Sequence, residues 1–240
     1  MIPTVYSSDN PAAALLLAHG AGGGQRSSFM IMAARALVAR GITVGTFDFP
    51  YMAEGRKVPD KSPVLESHWR SMIAAASSHA AFEGLPLFIG GKSMGGRIAS
   101  QVAAQSLQES DGAHHAFRGL VFLGYPLHPP GRPEQRRDRH LPDIREPMLF
   151  VQGTRDQFGT ADDIRALLPR LNSRAELYEI ADGDHSFKVR TSVAGKKQDA
   201  VFAEIFDAVS AFIRQAVQPS AADGLLSSGG AAPLPPNATS

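Results

Sequence analysis

Short apolar runs alternate with segments whose apolar positions recur every three or four residues. This alternation predicts an α/β domain on a mostly parallel, twisted sheet of about six strands flanked by helices. The runs at 12–18, 42–49, 87–90, 120–123, 148–152 and 177–180 read as strands. Helices are expected at 28–40, with Phe29, Ala33, Leu37 and Val38 on one face and Gly41 as the stop, and at 62–82, opened by Ser62 as cap and Pro63 at the first helical position. Another follows Gly96, with Ile98, Ala99, Val102 and Ala103 along one side, and a fourth spans 161–171. The last, 199–217, carries Phe202, Ile205, Phe206, Val209, Phe212 and Ile213 at helical spacing and is read as a core-covering helix.

From position 218 the pattern lapses into Pro219, Pro233, Pro235 and Pro236 among Ala, Gly and Ser, so residues 1–217 are expected to form the domain and 218–240 a disordered tail. The 24 Lys+Arg against 23 Asp+Glu supply no broad basic field, so neither nucleic acid nor membrane is expected as a partner. With no cysteine, a disulfide framework, a thiol nucleophile and cysteine-ligated zinc are excluded, and the chemistry must come from oxygen or nitrogen. No basic-then-apolar leader and no long apolar span is visible, which reads as cytoplasmic.

In an open parallel sheet, reactive groups belong on loops at the carboxyl ends of strands. Four such loops stand out: 19–24, 91–96, 154–159 and 182–187. The second, Gly91-Lys92-Ser93-Met94-Gly95-Gly96, fits G-x-S-x-G between a strand and a helix, the turn that lifts a serine hydroxyl out of a sheet. The string alone is weak, and its setting gives it force; the bland alternative is a serine that only caps the helix. A phosphate-binding P-loop fails because Pro86 stands where glycine is required, and a dinucleotide fingerprint starting at Gly20 fails at Gln25. Neither a cofactor nor a metal is expected.

A serine hydroxyl needs a base in hydrogen-bond reach, itself oriented by a carboxylate. Among the histidines, His68 and His79 are read as helical, His114 and His115 lie at the wrong end of a strand, and His19 suits shaping its glycine-rich loop. His185, after the last strand, is the expected base, unless it is a surface histidine bonded to Asp182 or Asp184. Asp156, on a strand-end loop between serine and histidine, is the expected acid. Donors for a developing oxyanion are expected from the backbone N–H groups of Met94 and Ala21. Gly22, Tyr51, Lys92 and His128 are candidate substrate-binding walls.

His19-Gly20-Ala21-Gly22, the Gly91–Gly96 segment, Gly153-Thr154-Arg155-Asp156 and Gly183-Asp184-His185 together resemble an α/β-hydrolase, and the order Ser, Asp, His matches. With Phe47-Asp48-Phe49-Pro50-Tyr51 and Gly124-Tyr125-Pro126-Leu127-His128-Pro129-Pro130-Gly131, the chain is similar, over about residues 12–215, to the dienelactone-hydrolase-like group that includes the KANL3/Tex30 hydrolase-like domain. It departs from the dienelactone hydrolases in lacking their cysteine nucleophile. Where many relatives insert a lid, residues 128–147 leave room for a loop only, which implies an open site for a small-molecule acyl substrate. The resemblance implies an esterase-type serine hydrolase. A peptidase or thioesterase with the same machinery, and an idle hydrolase fold serving as an interaction module, remain open.

Overall fold

A computed structural model of the protein describes residues 3–105, 117–190 and 197–218. In chain order its elements are β1 (Thr4–Tyr6), β2 (Ala13–Ala18), α1 (Ser28–Val38), β3 (Ile42–Phe47), α2 (Pro50–Ala53), α3 (Ser62–Ser77), β4 (Leu87–Lys92), α4 (Met94–Gln105), β5 (Leu120–Leu123), β6 (Met148–Gly153), α5 (Ala161–Leu167), β7 (Ala175–Ile180) and α6 (Gln198–Val217). The strands form one sheet of seven in the order β1-β3-β2-β4-β5-β6-β7, parallel except for β1, which runs antiparallel along β3. The seventh strand is β1. Three residues with a half-exposed pattern carry no periodicity that a sequence reading can use.

Alternation along β2 divides the core. Leu15 and Leu17 face α1 and α6, where Met30, Leu37, Ile205, Phe206 and Phe212 are buried. Ala14, Leu16 and Ala18 face the other side, where Trp69 of α3 and Ile98 and Val102 of α4 pack. Each leucine, isoleucine, valine, methionine or phenylalanine among them contributes about 1.5–3 kcal/mol by leaving water. The helix expected at 62–82 ends at Ser77, and Ala80–Phe82 is a separate 3-10 turn whose first N–H groups are met by His79, Nδ1 accepting from Ala81 N. Lys61, not Ser62, holds the cap position of α3. The helix expected to reach 171 stops at Leu167, because Pro169 offers no N–H to continue the ladder and a 3-10 turn takes over.

The parallel order puts the carboxyl ends of β2, β4, β6 and β7 on one edge, where all four of the loops picked out above emerge. Residues 128–147 hold only turns and the 3-10 segment Leu141–Asp143, so among the described residues no lid domain covers that edge. Among the described residues no helix is long and apolar enough to cross a membrane. The tail expected from 218 lies outside the described residues beyond Gln218, as do His114 and His115.

Candidate active site

Ser93 joins β4 to α4 with φ at 51°, a left-handed conformation that costs a non-glycine residue about 1–3 kcal/mol. The turn closes because its neighbours lack side chains: a Cβ on Gly91 or on Gly95 would stand 2.5 Å from the Ala18 carbonyl oxygen. Ser93 N donates to Leu123 O at 3.0 Å, which fixes the turn against β5.

Three side chains from distant loops meet there. His185 Nε2 lies 2.8 Å from Ser93 Oγ, and its Nδ1 lies 2.7 Å from Asp156 Oδ2. A carboxylate against Nδ1 places the ring proton on that nitrogen and leaves Nε2 to accept from the serine hydroxyl. Asp156 is 1% exposed and has its remaining acceptor sites filled, Oδ1 by Phe158 N at 2.8 Å and Oδ2 by Gln152 Nε2 at 2.9 Å. The Phe158 ring lies against the imidazole, centroids 4.2 Å apart and planes tilted by 37°. Asp182 and Asp184 are turned elsewhere: Asp182 to Arg155 and Arg190, Asp184 to the N–H groups of Ser186 and Lys188.

Gln152 and Phe158 escaped the sequence reading. Gln152 is fully buried at the end of β6 and also donates to Gly159 O at 2.6 Å, while its Oε1 accepts from Tyr125 N at 2.8 Å. A lone amide closing an otherwise apolar strand was the available signal.

The loop after β2 is built on His19, whose Nε2 accepts from Phe49 N at 3.1 Å and whose Nδ1 donates to Gly20 O at 2.7 Å. Burial above all pulls its pKa below the ordinary value, so it is neutral and structural. Ala21, Gly22, Lys92 and Met94 line a cavity of about 920 Å³ around Ser93 and His185. Among the described residues neither Ala21 N nor Met94 N has a hydrogen-bond acceptor, so both donors are available. Tyr51 and His128 were expected as cavity walls and lie outside it. Tyr51 is fully buried and donates to Ala21 O at 3.1 Å, supporting the loop from below. His128 is 8% exposed and bonded through Nδ1 to Pro129 O, because its own N–H pairs with Phe158 O and draws the side chain in.

Lys92 is more than a wall. Its Nζ donates to His185 O at 2.6 Å and sits 5.1 Å from the centroid of the Phe187 ring. A Cβ on Gly124 would stand 3.0 Å from that ammonium, so glycine there makes its room. Burial, only partly offset by Asp156 and Asp184, pulls the Lys92 pKa down to about 8.

The fold recurs among solved structures. A dienelactone hydrolase from Anabaena variabilis is 17% identical, with 88% of this chain and 89% of that one aligned at a TM-score of 0.65. A serine hydrolase without lid from Xanthomonas campestris is 20% identical over 88% and 87%, with a TM-score of 0.64. Est1E from Butyrivibrio proteoclasticus, bound to ferulic acid, is 13% identical over 86% and 94%, with a TM-score of 0.63. Residues 11–214, most of the chain, match the family described as alpha/beta hydrolase domain. The chain belongs to the α/β-hydrolase family.

Proposed function

We propose that the protein is a serine hydrolase that cleaves an ester-type acyl bond of a small or extended substrate through an acyl-enzyme. The observation that carries this reading is the unbroken hydrogen-bonded line from Ser93 through His185 to Asp156, at 2.8 and 2.7 Å. In the first half-reaction Ser93 Oγ attacks the acyl carbon while His185 Nε2 takes its proton, and the carbonyl oxygen becomes an oxyanion held by the N–H groups of Met94 and Ala21. Collapse expels the alcohol, which receives the proton from Nε2. Water then repeats the sequence on the acyl-enzyme, with His185 again as base, and releases the acid. Asp156 keeps the imidazole in the working tautomer and stabilises the imidazolium. The similar structures include enzymes named as hydrolases and esterases, in line with this chemistry. The narrower likeness to the KANL3/Tex30 hydrolase-like domain belongs to the same proposal.

Substitution Ser93→Ala is expected to abolish turnover of short 4-nitrophenyl esters and labelling by a fluorophosphonate probe. An unchanged rate in the purified variant, or wild-type protein inert to the probe, would refute the assignment and favour an idle scaffold.

A further inference from the structure

Both faces of the sheet give the cavity apolar lining, and its two arginines come from one of them. From α1 and α6, on one face, come the half-buried apolar side chains Phe29, Met32 and Phe202. From α4 and the loop in the lid position, on the other, come Arg97 and Arg137. Arg97 stands one helical turn from Ser93, its N–H donating to Ser93 O at 3.1 Å, so both residues share one face of α4. Ser93, at the end of the central strand β4, lies between the side chains from the two faces.

Of the other charges on the cavity wall, Asp60 accepts from Arg56 and from Tyr51 N and Lys92 is held by the His185 carbonyl, while Lys188 stands at an exposed position. Asp138, next to Arg137 in sequence, is taken by Arg136. Glu66 accepts from Gln105. Among the described residues neither Arg97 nor Arg137 forms an ion pair, and the bond from Arg97 Nη1 to Gln101 Oε1 at 3.2 Å is to a neutral amide. Burial first of all depresses the Arg97 pKa, with Tyr125 and Glu66 opposing the shift and Arg137 adding to it. Two half-buried guanidiniums on the wall of one cavity, whose lining carboxylate Asp60 is already paired with Arg56, suit an anion: a carboxylate reaching them would make charge-assisted hydrogen bonds.

We infer that the substrate is amphiphilic, an ester or thioester with an anionic group, carboxylate or phosphate, held by Arg97 and Arg137 on one side of the scissile carbonyl and an apolar group against Phe29, Met32 and Phe202 on the other. This rests on the proposed hydrolase reading, and the test separates the two.

Three esters form the kinetic arm: mono-4-nitrophenyl adipate, with the charge on the acyl part; the hexanoate of 3-carboxy-4-nitrophenol, with the charge on the leaving group; and uncharged 4-nitrophenyl hexanoate. At least one charged ester is expected to exceed the uncharged one about tenfold in kcat/KM, and Arg97→Gln or Arg137→Gln to bring that ratio towards one, with Arg97→Lys restoring part of it. Which charged ester wins tells whether the anion belongs to the acyl part or the leaving group. Phe202→Ser should raise KM for the preferred ester several-fold; an unchanged KM overturns the apolar half of the inference. The binding arm needs no turnover: adipate titrated by calorimetry into Ser93→Ala protein should bind, weaken when KCl is raised, and fail to bind when Arg137→Gln is added. Adipate binding without hydrolysis of any ester would sink the hydrolase reading and leave the anion site standing. Hydrolysis without preference for charge, and no adipate binding, would do the reverse.

Discussion

Ser93, Asp182 and Phe187 are the described non-glycine residues with positive φ, and all three flank the candidate site. Strain collects where a side chain must be aimed, and the surrounding packing sustains it. At Ser93 the strain exposes the hydroxyl; at Phe187 it brings a fully buried ring beneath the Lys92 ammonium. Asp156→Asn should lower kcat about a thousandfold or more with little change in KM, because an amide can present its NH₂ to Nδ1 and stabilise the wrong tautomer. Lys92 acts on the serine through the histidine loop, as a positioning residue. Lys92→Met should lower kcat about tenfold by loosening His185, with KM nearly unchanged. Its effect on stability has the opposite sign. A lysine held near 8 when folded and 10.5 when unfolded binds fewer protons in the native state between those values, so the charged form costs stability at pH 7 and the cost fades as pH rises through that window. Thermal denaturation at pH 7 should therefore find Lys92→Met at least as stable as wild type while its turnover falls; a large loss of Tm would mean that the ammonium is a structural prop.

The strand-to-helix turn at β4–α4 and the loop after β7 are held by different means. Sterics hold the first. A methyl group at Gly95 would meet both the Ala18 and His19 carbonyl oxygens, at 2.5 and 2.6 Å, so Gly95→Ala should cost about 2–3 kcal/mol in urea unfolding and displace the elbow. Charge holds the second. Asp182 accepts from Arg190 N at 2.7 Å and from the Arg190 guanidinium, and pairs with Arg155 on the β6 loop that carries Asp156. Chiefly through Arg190, its pKa falls from 3.8 to about 2. A carboxylate with a depressed folded pKa stabilises fully above its unfolded value and loses that contribution as pH falls through the folded one. Asp182→Asn should thus lower Tm at pH 7, and the gap to wild type should close as the pH drops from 3.8 towards 2. A gap independent of pH would assign the effect to packing.

At the scale of the whole protein, a sheet of parallel strands gathers one set of strand ends on one edge, and the absence of a lid over residues 128–147 leaves that edge open. Ester turnover should accordingly rise hyperbolically with substrate and show no jump at the solubility limit, which rate measurements across that limit would check. The strands β2 to β7 and the helices that cover them were legible in the chain, because apolar runs announce burial on both faces, and Ser93, Asp156 and His185, proposed as nucleophile, acid and base, could be picked out by the glycines of the elbow and by their place after a strand. Terminal strand β1 and the inward turn of Tyr51 and His128 were not legible, since pairing partners and backbone contacts far along the chain decide them, and neither was the early end of α3. The roles of Gln152, Phe158 and Lys92 belong to the same class. Residue type and order determined which chemistry the protein can perform; tertiary structure alone decided which side chains touch, because hydrogen bonds act over about 3 Å while the groups they join here stand tens of residues apart.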